Sequence, residues 1–181
     1  MKVTPTPIQD CYLITPDVYQ DERGYFCETF HKEKFEALTG IATDFVQDNQ
    51  SRSKKGVVRG LHFQTAPHQQ AKLVRVISGQ VLDVVVDLRK NSPSFGQHYA
   101  VILDEDNKQQ LYIPRGCAHG FATLSDYSVF AYKCDAFYNR ESDSGIRFDD
   151  ATFGIDWRLP KDQIIVSEKD QNLPLFDPTN F

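Results

Sequence analysis

Two short segments gather side chains suited to moving protons: RGLHFQ, residues 59–64, and IPRGCAHGF, residues 113–121. Histidine titrates near neutrality, so one imidazole can take or give a proton under ordinary conditions. In a strand the side chains alternate between faces, which sets His62 and Gln64 opposite Leu61 and Phe63, with Gly60 and Arg59 near the edge. Such a histidine is either a base facing a pocket or an interior histidine with its hydrogen bonds satisfied, and the segment alone leaves both open. In the second segment Pro114 and Gly116 make a turn that delivers His119 to the start of the next strand. Lys72, ahead of LVRV, is either a solvated surface charge or an ammonium turned into the same pocket. Tyr132 in FAYKCD reads as core or as an acid, and Asp170 in SEKDQ reads as part of a solvated charged run.

A β framework must hold these groups. Short apolar alternations dominate the middle of the chain and helical periodicity is scarce. Strands are predicted over residues 73–76 and 81–88, with Ser78-Gly79 between them as the turn of a hairpin. Further strands are predicted over 99–103, 110–113, 120–124 and 129–134, an even spacing that points to a sandwich or barrel. One peripheral helix is predicted over 32–38, where Phe35 and Leu38 share a face and Gly40 supplies the stop. The Pro-containing tail, 173–181, reads as irregular, and with no repeat or linker the 181 residues are expected to form one domain.

The bulk numbers exclude several classes. A formal charge of -5 and a pI near 5.5 argue against a nucleic-acid binder, so a polyanionic ligand must be met by locally placed cations. Cys11, Cys27, Cys117 and Cys134 form no C-x-x-C pair and are expected as free, buried thiols. MKVTPTPIQD lacks the apolar core of a signal peptide and no apolar run is long enough to span a membrane. The expectation is a cytoplasmic, reduced protein.

The P-x-G-x-x-H spacing from Pro114 to His119 is similar to the second motif of the cupin superfamily, small jelly-roll barrels, and Gly56 leading to His62 resembles the start of the first. Metal-binding cupins place a second histidine two positions after the first, and here that position is Gln64; Lys72 stands where a ligand Glu would fall. A divalent ion wants three or four N or O ligands, and a protonated amine repels it. A metal-free pocket with two histidines and a lysine suits acid/base chemistry on an anionic intermediate.

Six segments in order, DERGYFCETF, FVQDNQSRSKKGVVRGLHFQ, KLVRVISGQVLDVVVDLRKNSPSFGQ, YIPRGCAHGF, YKCDAFYN and SEKDQNLPLF, resemble the dTDP-4-dehydrorhamnose 3,5-epimerase family over about residues 1 to 176. The resemblance implies an all-β, cupin-type jelly-roll barrel, a homodimer, and cofactor-free inversion of C3 and C5 in dTDP-4-dehydro-6-deoxyglucose. It implies His62 as general base, Asp170 as the carboxylate that orients it, Tyr132 as acid on the opposite face, Lys72 as stabiliser of the enolate oxygen, and His119 as a substrate contact. The nucleotide end falls on Arg23, Phe26, Glu28, Gln47, Asn49, Arg59, Tyr138, Asp143 and Lys169. Arg23 and Arg59 would meet phosphate, Tyr138 would stack on thymine, and Tyr19 would reach the neighbouring subunit's site. Asp143 stands where many members carry Glu, and Tyr19 where Phe is common. Rival readings are an enzyme inverting only C3 or only C5, a 3,4-ketoisomerase, a metal-dependent cupin dioxygenase, and a non-catalytic sugar-binding cupin.

Overall fold

The computed structural model describes residues 1–180. In chain order the elements are β1 (Lys2–Pro5), β2 (Tyr12–Thr15), β3 (Val18–Asp21), β4 (Gly24–Cys27), α1 (Lys32–Thr39), β5 (Gln47–Lys54), β6 (Val58–Gln64), β7 (Lys72–Ser78), β8 (Gln80–Asp87), β9 (His98–Asp104), β10 (Gln110–Ile113), β11 (Cys117–Thr123), β12 (Tyr127–Cys134), β13 (Asp143–Gly145) and α2 (Glu168–Gln171). A six-stranded sheet, β1-β2-β10-β7-β12-β5, faces a five-stranded one, β13-β6-β11-β8-β9, and every pairing is antiparallel. The result is the expected all-β jelly roll of the cupin type. Strands β3 and β4 form a separate two-stranded hairpin.

Valines and leucines at alternate positions of β7, β8 and β10 meet Phe121 and Phe130 between the sheets and make the inner core. Phe130 is fully buried, and burial of such a ring contributes roughly 1.5–3 kcal/mol. Both sheets also need cover outside. Ile146, Phe153 and Trp157 pack over Leu61, Leu82, Val84 and Ala118, which is why β8 is apolar on both faces. Helix α1 lays Phe35 on Ile14, Leu73 and Tyr112. It stops as predicted at Gly40, whose φ of 72° lets its N–H reach the carbonyl of Glu36 at 2.8 Å.

The predicted hairpin at Ser78-Gly79 is not one. Strand β7 pairs with β10 and β12, whereas β8 pairs with β9 and β11 in the other sheet. Gly79, at φ 81°, carries the chain across the corner, and a Cβ there would stand 2.1 Å from the carbonyl oxygen of Tyr127. A short turn between apolar runs looks the same in sequence whether it folds a strand back or passes it to the opposite sheet.

Where β8 ends, Asp87 is fully buried and accepts hydrogen bonds from the Arg89 guanidinium and from Ser92 and Ser94. Burial alone would raise its carboxyl, but these donors outweigh it and lower the pKa from 3.8 to about 2. A carboxyl held low in the fold stabilises above its unfolded pKa, and that stability is lost as pH falls from about 4 through about 2. The expected contribution is about 2 kcal/mol. In urea titrations the gap between wild type and Asp87→Asn should narrow by that amount across the window; a gap independent of pH would contradict it.

All four cysteines are free thiols, and all but Cys27 are buried. Among the described residues no helix is long and apolar enough to cross a membrane.

Candidate active site

Strand β6 holds the first histidine through an irregularity. Its register on β11 pairs His62 with His119 and Arg59 with Phe121, so three steps on β6 span two on β11. This bulge cancels the usual alternation and turns Arg59 to the same inward face as His62. Gly60 lies within it at φ 119°, and a Cβ there would fall 2.6 Å from Gly120 Cα. The RG-H spacing is therefore a backbone requirement as well as a chemical one. Arg59 crosses to the six-stranded sheet, where its Nε donates to Ser53 Oγ at 3.0 Å.

His62 Nε2 lies 2.7 Å from Asp170 Oδ1. The other Asp170 oxygen accepts from the Gly60 N–H at 3.3 Å, and the Asp170 N–H is capped by Ser167 Oγ at the start of α2. Asp170 is 3% exposed, so the solvated-run reading of SEKDQ does not hold for it. Burial pushes its carboxyl up, but the hydrogen bond and charge of His62, with Gly60 and Ser167, bring it net below the usual carboxylate range. An ionised partner on one ring nitrogen fixes the tautomer and leaves the other nitrogen to a substrate.

On the facing sheet Lys72 and Tyr132 project inward from β7 and β12, Lys72 Nζ lying 5.9 Å from the Tyr132 ring centroid. Burial lowers the Lys72 pKa from the ordinary lysine value, against the opposing influence of Cys134, Asp143 and Asp83. Burial likewise raises the Tyr132 hydroxyl, which the Arg59 charge opposes. Half-buried and set over the Tyr132 ring, Lys72 is not the fully solvated surface charge that one reading of the sequence allowed. Tyr132 does pack against the inner core, but its hydroxyl also feels the Arg59 and Asp143 charges.

Strand β5, QDNQSRSK, is polar throughout and was not predicted as a strand. Gln47, Asn49, Ser51 and Ser53 alternate with more exposed residues because its inner face lines the pocket. Gln47 donates to Asn49 and accepts from the Tyr138 N–H; the Tyr138 hydroxyl donates to Asp143 at 2.9 Å, and Lys169 also bonds Asp143. Gln64 is buried, and its amide ties the loops at His68 and Asn139. His119, on β11 beside His62, bonds Asp83 through Nε2 at 2.9 Å.

The structure thus brings together His62, Asp170, Lys72, Tyr132, Arg59, His119, Gln47, Asn49, Tyr138, Asp143 and Lys169. It does not bring Tyr19, Arg23, Phe26 and Glu28 to this pocket within one chain. Tyr19 and Phe26 stack on each other across the β3–β4 hairpin at 64% and 68% exposure. Arg23 is held by Asp21 and Glu28 by Lys34. Sequence reasoning missed Ser53, Ser167 and Asp83; of these only Asp83, a carboxylate inside the apolar run VLDVVV, carried a signal.

Comparison with known proteins adds a consistent finding. Residues 5–178 match the family model described as dTDP-4-dehydrorhamnose 3,5-epimerase. The chain is 48% identical over 180 residues to the Salmonella typhimurium protein of that name, with 98% of this chain and 96% of that protein covered. It is similar to the crystal structure of the enzyme so named from Elizabethkingia anophelis, at 54% identity and a TM-score of 0.96, covering 100% of this chain and 99% of that one. It also resembles the dTDP-6-deoxy-D-glucose-3,5-epimerase of Legionella pneumophila, solved in complex with dTDP-4-keto-L-rhamnose, at 48% identity and a TM-score of 0.92, covering 96% and 92%.

Proposed function

The chain belongs to the dTDP-4-dehydrorhamnose 3,5-epimerase family, and from that premise we propose that the barrel pocket is its active site, with His62 the base and Tyr132 the acid. The protein is an isomerase that inverts C3 and C5 of dTDP-4-dehydro-6-deoxy-D-glucose to give dTDP-4-dehydro-L-rhamnose in deoxysugar biosynthesis. One observation supports the assignment above the rest: the imidazole with a buried carboxylate stands on one sheet, and Tyr132 with Lys72 faces it from the other.

Protons at C3 and C5 are acidified by the C4 ketone, and loss of either leaves an enolate with charge on O4. His62 takes the proton as the C–H pair moves into the enolate, and Asp170 supports the imidazolium that forms. The Lys72 ammonium meets the O4 charge in a desolvated setting, where such a charge counts most. Tyr132 then delivers its hydroxyl proton to the opposite face of the carbon and recovers one from solvent, while the His62 imidazolium gives its proton up to solvent before the second carbon reacts. Oxidation state does not change at any step, so acid and base groups suffice without a cofactor.

At the nucleotide end Arg59 meets phosphate, and Gln47, Asn49, Tyr138, Asp143 and Lys169 form the rim that receives the thymidine. The β3–β4 hairpin completes the site in trans: in a homodimer Tyr19, Arg23, Phe26 and Glu28 reach the neighbouring pocket. Its exposed aromatic faces support that reading. The four free thiols fit a cytoplasmic setting.

Tyr132→Phe tests the two-sided arrangement. Recovered substrate should still exchange hydrogen at one carbon in D₂O, while formation of the inverted product falls by about 10² or more. Unchanged product stereochemistry and rate would remove Tyr132 from the acid role.

A further inference from the structure

Asp83 lies on β8 in the inner core, at 0% exposure among Val81, Val85, Phe121 and Phe130. Among the described residues its carboxylate makes one hydrogen bond, to His119: Oδ2 lies 2.9 Å from Nε2, and no group reaches Oδ1. The contrast with Asp87, four residues along the same strand, is informative. Asp87 is bonded through both oxygens by four residues, Arg89, Ser92, Ser94 and Cys117, and holds a loop. A carboxylate taken out of water into an apolar core with half its acceptor capacity unused works against stability. What it does have is one directed contact to a histidine that reaches the pocket.

His119 is fixed from every side. Phe130 of β12 stacks on the ring at 5.9 Å between centroids, His62 of β6 is its cross-strand partner, and Val85 of β8 its partner on the other side. Lys72 of β7 acts electrostatically on the same carboxylate, as does the Cys11 thiol behind it. The imidazole side chain keeps 9% exposure, and with Nε2 engaged the nitrogen left for a bound molecule is Nδ1.

We propose that Asp83 is a positioning residue for the epimerase reaction: it fixes His119 in the tautomer protonated on Nε2, so that Nδ1 accepts a hydrogen bond from a sugar hydroxyl. The inference rests on the functional reading above and deepens it. A lysine or arginine at position 119 could bind a sugar but could not accept a proton bond, and an unpartnered imidazole would divide itself between tautomers. Asp83 thus converts a versatile ring into a one-way acceptor, which discriminates for a hydroxyl at that point of the ring.

The test uses full-length protein, wild type, Asp83→Leu and Asp83→Asn. Leucine keeps the branching at Cγ and removes the acceptor; asparagine can still accept from Nε2–H through its amide oxygen. Asp83→Leu should melt at or above the wild-type temperature and bind dTDP within about two-fold, yet lose at least about ten-fold in kcat/KM. Asp83→Asn should recover most of that loss. Wild-type kcat/KM in the leucine variant, or an asparagine variant no better than it, would overturn the proposal. Nitrogen-15 NMR of His119 in the wild type needs no variant to fold: an Nε2-protonated ring supports the proposal and an Nδ1-protonated one overturns it. Inactivity of the wild type itself on the dTDP sugar would instead overturn the functional reading, a distinct result.

Discussion

His62→Ala should lower kcat by about 10³-fold or more while dTDP binds as before, because in the proposed mechanism the imidazole removes the proton and holds no part of the nucleotide. General base catalysis alone accounts for about 10²- to 10⁴-fold, and in the proposed site the neighbouring groups are committed elsewhere: the free nitrogen of His119 to a sugar hydroxyl and Lys72 to the enolate oxygen. Asp170→Asn should fall in the same direction, since the amide cannot stabilise the imidazolium and offers a donor where an acceptor is needed. Steady-state kinetics with dTDP-4-dehydro-6-deoxyglucose, set beside calorimetric titration of dTDP, separates the two effects. Wild-type turnover in either variant would remove the dyad from the chemistry; equal losses of turnover and dTDP binding would assign it to binding.

The second large effect belongs to Lys72. Lys72→Met should lower kcat by about 10² to 10³, the usual consequence of removing one preset donor at a developing oxyanion. No carboxylate stands within salt-bridge distance of its ammonium among the described residues, and burial lowers its pKa, so replacing it with an apolar chain of similar length should leave the melting temperature unchanged or higher. The sign of the pH effect follows. The ammonium is present below its folded pKa and lost as pH rises through it, and a lowered pKa brings that loss in before the ordinary lysine range near 10.4. The wild-type rate should fall on this alkaline limb, and the methionine variant should lack the limb. An alkaline limb identical in both proteins would contradict the role of Lys72.

How much of this was legible beforehand varies by element. Strands β8, β10 and β12 were visible because each presents apolar residues to a packed face, and α1 because its stop residue and its buried Phe35 agree. Strand β5 was invisible for the opposite reason: its inner residues face the pocket, so polar meets polar along the strand and no hydrophobic period arises. The partition of β7 and β8 between sheets was also hidden, since it depends on the covering of the outer face of β8 by Ile146, Phe153 and Trp157, more than 50 residues away in sequence.

The site divides in the same way. His62 and His119 stand in compact motifs and could be singled out locally, but their carboxylates could not. Asp170 is 108 positions from His62, in a four-residue helix whose composition looks solvated. Asp83 sits 36 positions before His119, and its signal, a charge within an apolar run, was present and went unread. Only the family resemblance reached Asp170 and Tyr132 from sequence. The β3–β4 hairpin is the remaining case: its residues match the family pattern, but a single chain leaves them at the surface.

The most direct measurement is deuterium wash-in by the wild-type protein. The dTDP-4-dehydro-6-deoxyglucose substrate is incubated in D₂O with the protein, and C3 and C5 are followed by NMR. Deuterium at both carbons, with inversion at both in the product, is the predicted result. Exchange confined to one carbon would contradict double epimerisation, and no exchange at either would contradict proton abstraction by His62 altogether.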